Sequence, residues 1–256
     1  MFSWAQQRQL MYGLAVLAFL AIVIGVPSYF IFFNKQPTCF DGKQNGTETG
    51  IDCGGACASV RACVQDVLPQ PIVMWSRPFS VARGLHNLVA YVQNPNVNYT
   101  AQPIEYLFRV YDVDNVLLGT REGYAMVPPT KAFPIFEAAF DAGERQPAKA
   151  VFEFTQPAVW KQFETSVPEL VIYDEILRNA SSSPRIDAMI QNKTINRYRD
   201  IEVVAVIYDE KGNARAASRT LVDVLPGSES RPLIFTWPEP FDFQAVKIEI
   251  IPKLPI

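Results

Sequence analysis

The sequence predicts a mainly β protein: two tandem antiparallel sandwiches behind a short Cys-rich segment and one N-terminal transmembrane helix. Three observations predict it. One long stretch near the start carries no charge, all four cysteines fall in one short segment, and the rest of the chain repeats itself with a period near 98 residues.

The helix comes first. Residues 9–34 hold no charged side chain between Arg8 and Lys35, and Met11 to Phe33 is a 23-residue apolar run. About 20 apolar residues cross the hydrocarbon core as a helix, where every backbone group must be satisfied within the helix. Pro27 is expected to kink it. Trp4 and Tyr12 suit one membrane interface and Tyr29 the other. A cleaved leader is disfavoured: the apolar run continues past Pro27, and Tyr-Phe-Ile-Phe-Phe offers no small-residue cleavage site. Flanking charge does not orient the helix, because Arg8 faces Lys35 and Lys43. The clustered cysteines and the short tail do. Residues 1–10 are expected to be a cytoplasmic tail, 11–33 the span, and all that follows extracytoplasmic, in a single-pass protein of the cell membrane.

The next segment, 37–66, contains Cys39, Cys53, Cys57 and Cys63 among Gly, Asn, Asp and Thr. Such a composition builds no core and needs a staple. Outside the cytoplasm the expectation is two disulfides, with three pairings open. The spacing lacks the paired Cys-x-x-Cys knuckles of structural zinc sites. Asp41, Asn45, Glu48 and Asp52 form a candidate hard-cation set, calcium being the suitable ion. Against it, Lys43 occupies a position where an oxygen ligand is needed, and turn residues of this kind commonly bond their own backbone. No other cofactor is implied. The string Cys-x-Asp-Gly-x-x-Asn-Gly-x-Glu-Thr-x-x-Asp-Cys-Gly-Gly-x-Cys, residues 39–57, resembles a small Cys-rich module of bacterial cell-surface proteins.

The repeat sets the remaining organisation. Gln93-Asn94 recurs as Gln191-Asn192, Tyr111-Asp112 as Tyr208-Asp209, Pro134-Ile-Phe136 near Pro232-Leu-Ile-Phe235, and Ala150-Val151 as Ala245-Val246. Four landmarks in one order argue for two copies, 67–164 and 165–256. Strand-like runs occur at corresponding places: 71–80, 87–93, 104–111 and 149–154, then 168–177, 185–191, 201–208 and 245–251. Asp112 to Asn115 and Asp209 to Asn213 read as hairpin turns. About seven strands per copy make a sandwich, and the short linker suggests two sandwiches stacked end to end.

Phe108-Arg-Val-Tyr111-Asp112 resembles the signature of the FxLYD family, with Val for Leu; Ala205-Val-Ile-Tyr208-Asp209 is a second copy without the Phe. The resemblance implies immunoglobulin-like sandwiches in an exported setting and brings no catalytic residues.

Other classes find little footing. Net charge is −3 with no Lys/Arg run, so nucleic acid lacks its electrostatic footprint. His86, the single histidine, is read as a partly exposed residue at a strand edge. Asp112 and Asp209 are read as turn caps. The aromatics from Phe133 to Phe154 and from Phe235 to Phe243 are read as core. Asn45, Asn98, Asn179 and Asn192 fit the glycosylation pattern. The expected function is a non-enzymatic, membrane-anchored binding or assembly module with a protein partner in the cell envelope. The alternatives are a subunit of a larger membrane complex and a cation-dependent hydrolase.

Overall fold

The computed structural model describes residues 4–33, 38–63, 68–164 and 167–253; within the helix, side chains are described for Trp4 and residues 11–25. The chain forms two compact units, 1–67 and 68–256.

Helix α1 spans Trp4–Phe33, 30 residues, or about 45 Å at the usual rise. It begins seven residues before the expected start at Met11, because Ala-Gln-Gln-Arg-Gln-Leu is a run of good helix formers. The backbone stays helical through Pro27; the side chains of Pro27 and Tyr29 lie outside those described. Among the described residues no helix is long and apolar enough to cross a membrane.

The segment 38–63 is held by two disulfides, Cys39–Cys57 and Cys53–Cys63. It has one 3-10 turn, Gly55–Cys57, and a single bridge between Gly50 and Cys53. Its loops cross so closely that a Cβ on Gly55 would lie 1.8 Å from the Thr47 carbonyl oxygen, at a φ of +51°. Only glycine fits there.

The second unit is all β. Its first half contains β1 (Ile72–Ala82), β2 (Leu85–Gln93), β3 (Tyr99–Tyr111), β4 (Leu117–Val127), β5 (Ala132–Asp141), β6 (Lys149–Phe154) and β7 (Trp160–Gln162). The second half contains β8 (Leu170–Arg178), β9 (Arg185–Asn192), β10 (Tyr198–Tyr208), β11 (Ala214–Leu225), β12 (Ser230–Thr236) and β13 (Lys247–Pro252). Sheet β1-β2-β5 faces sheet β4-β3-β6, with β7 also on β3; sheet β8-β9-β12 faces β11-β10-β13. The strand order is the same in both halves, and every pairing is antiparallel.

Each half closes over its own core. Leu88, Ala90 and Val92 of β2 meet Phe108 and Val110 of β3 and Phe152 of β6. In the second half, Ile186, Ala188 and Ile190 of β9 meet Val203, Ala205 and Ile207 of β10. These are the inward positions of period-two strands.

The halves are not stacked end to end. A third buried cluster joins Phe79, Val89 and Phe136 to Val204, Val206, Tyr208, Ala214 and Ala217. These residues occupy the other faces of β1, β2, β5, β10 and β11. Sheet β1-β2-β5 therefore packs against sheet β11-β10-β13, and the four sheets lie in layers. The physical reason is in β10 itself: Val203 to Ile207 is apolar at five consecutive positions, and such a strand needs cover on both faces.

Candidate functional site

The Cys-rich loop is built from its own side chains. Asp52 Oδ1 accepts from the backbone N–H groups of Asp41 at 2.8 Å and Gly42 at 3.0 Å, and its Oδ2 accepts from Gly42 at 2.9 Å. Asp41 accepts from the Lys43 N–H and from the Asn45 amide, both at 3.0 Å. The Asn45 amide, first among several donors, holds the Asp41 carboxyl below its usual range. Glu48 Oε2 accepts from the Asn45 N–H at 3.0 Å. The carboxylate oxygens of Asp41, Glu48 and Asp52 are thus joined to local donors in the manner of turns, and a cation would have to displace those bonds; the Asn45 Oδ1 is buried without a hydrogen-bond partner. Cys39, Glu48 and Cys57 place ligand atoms within 4.8 Å of one another. Both sulfurs are in a disulfide, however, and supply no thiolate. The zinc alternative fails for the same reason, since all four cysteines are bridged.

The repeated Tyr-Asp pairs are structural in two ways. Asp112 Oδ1 accepts from the N–H groups of Asp114 at 3.0 Å and Val116 at 2.9 Å. Asp209 Oδ1 accepts from Lys211 and Asn213 at 3.0 and 2.9 Å. Each carboxylate closes the hairpin that follows it, and the N–H four residues on (Val116, Asn213) is the first cause holding its pKa low. The aromatic partners have diverged. Tyr111 is half-buried, whereas Tyr208 is buried where the two halves meet. Phe108 is fully buried, with its ring edge-to-face on Phe152 at 4.9 Å.

The recurring Gln-Asn pairs place a buried amide at the same point in each copy. Asn94 Nδ2 donates to the carbonyls of Tyr99 and Pro128 at 3.0 and 2.8 Å. Asn192 Nδ2 donates to Asn196, Leu225 and Pro226 at 2.6, 3.4 and 3.0 Å. Asn192 is fully buried, so folded chain offers no room for a glycan there.

His86 corrects its expectation. It lies on β2, the central strand of its sheet, opposite Ser80 and Phe140, and is 4% exposed. Its Nδ1 has no hydrogen-bond partner, and burial pushes its pKa below the usual 6.5 against an opposing bond to the Gly84 backbone.

Polar links tie the halves together around the third cluster. Tyr91 and Tyr208 both donate to Glu249, at 3.0 and 2.8 Å. Burial, first, and the carboxylate, second, raise both phenol pKa values well above the ordinary range. Trp75 stacks on Tyr91 at 5.3 Å. Arg77 reaches the Ala214 carbonyl, and Asn87 the Ala217 carbonyl.

Beside this interface lies a cleft of about 590 Å³, within the usual range for ligand sites. Phe133, Phe136, Val204 and Ile251 give it apolar walls. Its polar groups are mixed in sign: Tyr106, Glu137, Glu202, Arg219 and Lys253. Tyr106 donates to Glu137 Oε1, and Arg219 pairs with Glu202 at 3.3 Å while standing over the Phe136 ring at 5.3 Å. Six strands, from β3 to β13, build this cleft, and no local motif announced it.

Fold and site together define a two-sandwich β protein with a disulfide-stapled N-terminal segment. No family model and no curated protein matches the chain. Among solved structures, red sea bream transglutaminase matches 73% of this chain and 29% of its own, with 9% identity and a TM-score of 0.27. The chain thus spans less than a third of that protein, and no argument rests on so slight a likeness.

Proposed function

We propose that this chain is a non-enzymatic, membrane-anchored extracytoplasmic protein whose paired sandwiches form a binding or assembly body. The observation that carries the reading is the pair of disulfides in the segment next to α1. Disulfides form and persist in oxidising compartments, so the C-terminal side of α1 belongs outside the cytoplasm and the N-terminal tail inside. The uncharged run 9–34 supports α1 as the anchor. The matching strand order of the two halves supports tandem domains, and the Tyr-Asp signatures, closing hairpins at equivalent places, support the likeness to FxLYD-type immunoglobulin-like sandwiches.

Binding is favoured over catalysis by how the polar groups are used. Asp112 and Asp209 close turns, and His86 is enclosed between strands with an apolar neighbour. The interlocked halves instead present a preformed cleft to a protein partner of the cell envelope. Alkaline carbonate extraction and protease treatment of intact cells test the reading. The chain stays with the membrane pellet, and residues 38–256 are digested from outside. A chain released by carbonate, or protected from external protease, refutes it. Native size in mild detergent separates a lone anchor from a complex subunit.

A further inference from the structure

The cleft between the two sandwiches has a feature that its apolar walls alone do not explain: four terminal strands converge on it. In the described sheets β4 pairs only with β3, β5 only with β2, and β11 and β13 each only with β10. Each contributes residues to the lining, Tyr124 to Met126 from β4, Ala132 to Glu137 from β5, Arg219 from β11, and Ile251 to Pro252 from β13. A terminal strand carries a row of backbone donors and acceptors on its open side, and folded proteins usually blunt such edges. Two of these are blunted by proline, β5 at Pro134 and β13 at Pro252, and β11 presents at the cleft the charged Arg219, paired with Glu202. β4, Leu117–Val127, contains no proline and keeps every N–H. Tyr124 on this strand is 69% exposed.

The charges narrow the occupant. Glu137 and Glu202 face Arg219 and Lys253, so the lining is neutral in sum and favours an ion of neither sign. It does offer acceptors and donors side by side, which is what an amide backbone matches. Small neutral apolar molecules would use the walls and leave the strand edge and the polar groups unmatched.

We infer that the cleft receives an extended, uncharged, apolar segment of a partner polypeptide, which adds to the open edge of β4 as a further strand. Main-chain pairing along β4 supplies the attachment, and alternate side chains of the segment enter the walls formed by Phe133 and Ile251. This rests on the reading of the sandwiches as a binding body and names the chemistry of its partner.

The test uses the full chain in lipid nanodiscs and a dye-labelled peptide, acetyl-Thr-Val-Thr-Leu-Thr-Val-Thr-amide, followed by fluorescence anisotropy. Saturable binding is expected. N-methylation of alternate peptide nitrogens, which removes backbone donors, weakens it about tenfold or more. Replacing the central Leu by Asp or by Lys weakens it similarly. Thr130→Trp, in the turn between β4 and β5, fills the cleft and abolishes binding while circular dichroism stays unchanged. Tyr124→Ala is the second variant should Thr130→Trp misfold, and it weakens binding several-fold through the exposed side of β4. Equal binding of the N-methylated peptide overturns the strand-addition geometry. Preference for the Lys or the Asp peptide overturns the neutral occupant. No binding by any peptide overturns the assignment as a whole, while carbonate extraction and protease treatment report on the anchored binding body separately.

Discussion

Tyr91 of β2 donates its hydroxyl proton to Glu249 of β13 at 3.0 Å, across 158 residues of sequence. The other oxygen of the same carboxylate accepts from Tyr208 at 2.8 Å. One acidic side chain thus satisfies a hydroxyl from each sandwich, beside an apolar cluster to which both sandwiches contribute. The two halves behave as one body, and Glu249 is where their coupling is read most directly.

Glu249→Ala leaves two phenol groups without their acceptor. A buried donor so orphaned costs about 1–3 kcal/mol. Tyr91→Phe removes one donor and leaves Tyr208 paired, at about 1 kcal/mol. In the Tyr91→Phe background, Glu249→Ala then costs less than it does alone, because only one donor remains to be orphaned. Urea denaturation of the full chain, followed by the fluorescence of Trp75 stacked on Tyr91, measures all three. Equal losses for the two single variants, or strict additivity, would contradict the shared-acceptor picture.

Much of this architecture was legible, and its limits have physical causes. β2, β3, β9 and β10 announce themselves because their inward residues alternate with polar ones or run on as β-branched apolar blocks. The interface also had a signal. Val203 to Ile207 is apolar throughout, which alternation over a single core does not require, whereas the short linker taken alone points to end-to-end domains. β4 was illegible: Leu-Leu-Gly-Thr-Arg-Glu-Gly has two glycines and a charged pair, and it is a strand because β3 offers it a partner. His86 misled because a lone imidazole suits a strand edge, while its enclosure comes from β1 and β5 on either side. The disulfide pairing depends on how the loop folds, and the cleft depends on strands brought together only by tertiary packing.

Gly123 of β4 is a place where that packing is tight. It pairs with Tyr106 of β3, and a Cβ there would lie 2.4 Å from the Tyr106 hydroxyl oxygen. Tyr106 is buried and bonded to Glu137, so its ring has little freedom to retreat. Gly123→Ala should therefore cost about 1–3 kcal/mol, the usual range for overpacking, and break the Tyr106–Glu137 bond. Gly123→Ala combined with Tyr106→Leu should recover most of the loss. Thermal melts of the two variants decide it, and an unchanged midpoint for Gly123→Ala would show that the strand yields freely.

Asn192 tests the second copy's loop lock. Its amide nitrogen points at three carbonyls. Asn192→Asp sets a carboxylate oxygen against them, in full burial, with no donor to replace the lost N–H groups. The loss should exceed about 3 kcal/mol and fall with acid, since a protonated carboxyl regains one donor. Denaturant midpoints at pH 7 and pH 4 check this; a variant as stable as the parent at pH 7 would be incompatible with the amide's role.

The disulfides confine a different failure. Reduction should open the 38–63 segment, which has no core of its own, and leave the sandwiches intact, because the two compact units divide near Val67. Each bridge contributes about 2–4 kcal/mol to a loop of this size. Limited proteolysis with and without dithiothreitol, read by mass spectrometry, should show cleavage within 38–63 only after reduction and no change in the 68–253 body. Non-reduced peptides should show Cys39 joined to Cys57 and Cys53 to Cys63. Any other pairing, or simultaneous loss of the β body, would overturn this division.

His86 sets the response to mild acid. Burial lowers its pKa in the folded chain below the 6.5 of the free imidazole. Between those two values the unfolded chain holds a proton that the folded chain does not, so the unfolded state gains as pH falls. The stability contributed by neutral His86 is therefore complete above pH 6.5 and is lost progressively as pH falls through 6.5 toward the folded pKa. Asp112 and Asp209 act in a separate, lower window. Their folded pKa values lie below 3.8, so their contribution is present above that value and is lost only as pH falls through it. Comparing denaturation midpoints at pH 7.5 and 5.0 isolates the histidine. The parent should lose stability over that interval, and His86→Gln, neutral at both pH values, should lose distinctly less. An identical decline in both proteins would assign the acid sensitivity to other groups and return His86 to a purely packing role.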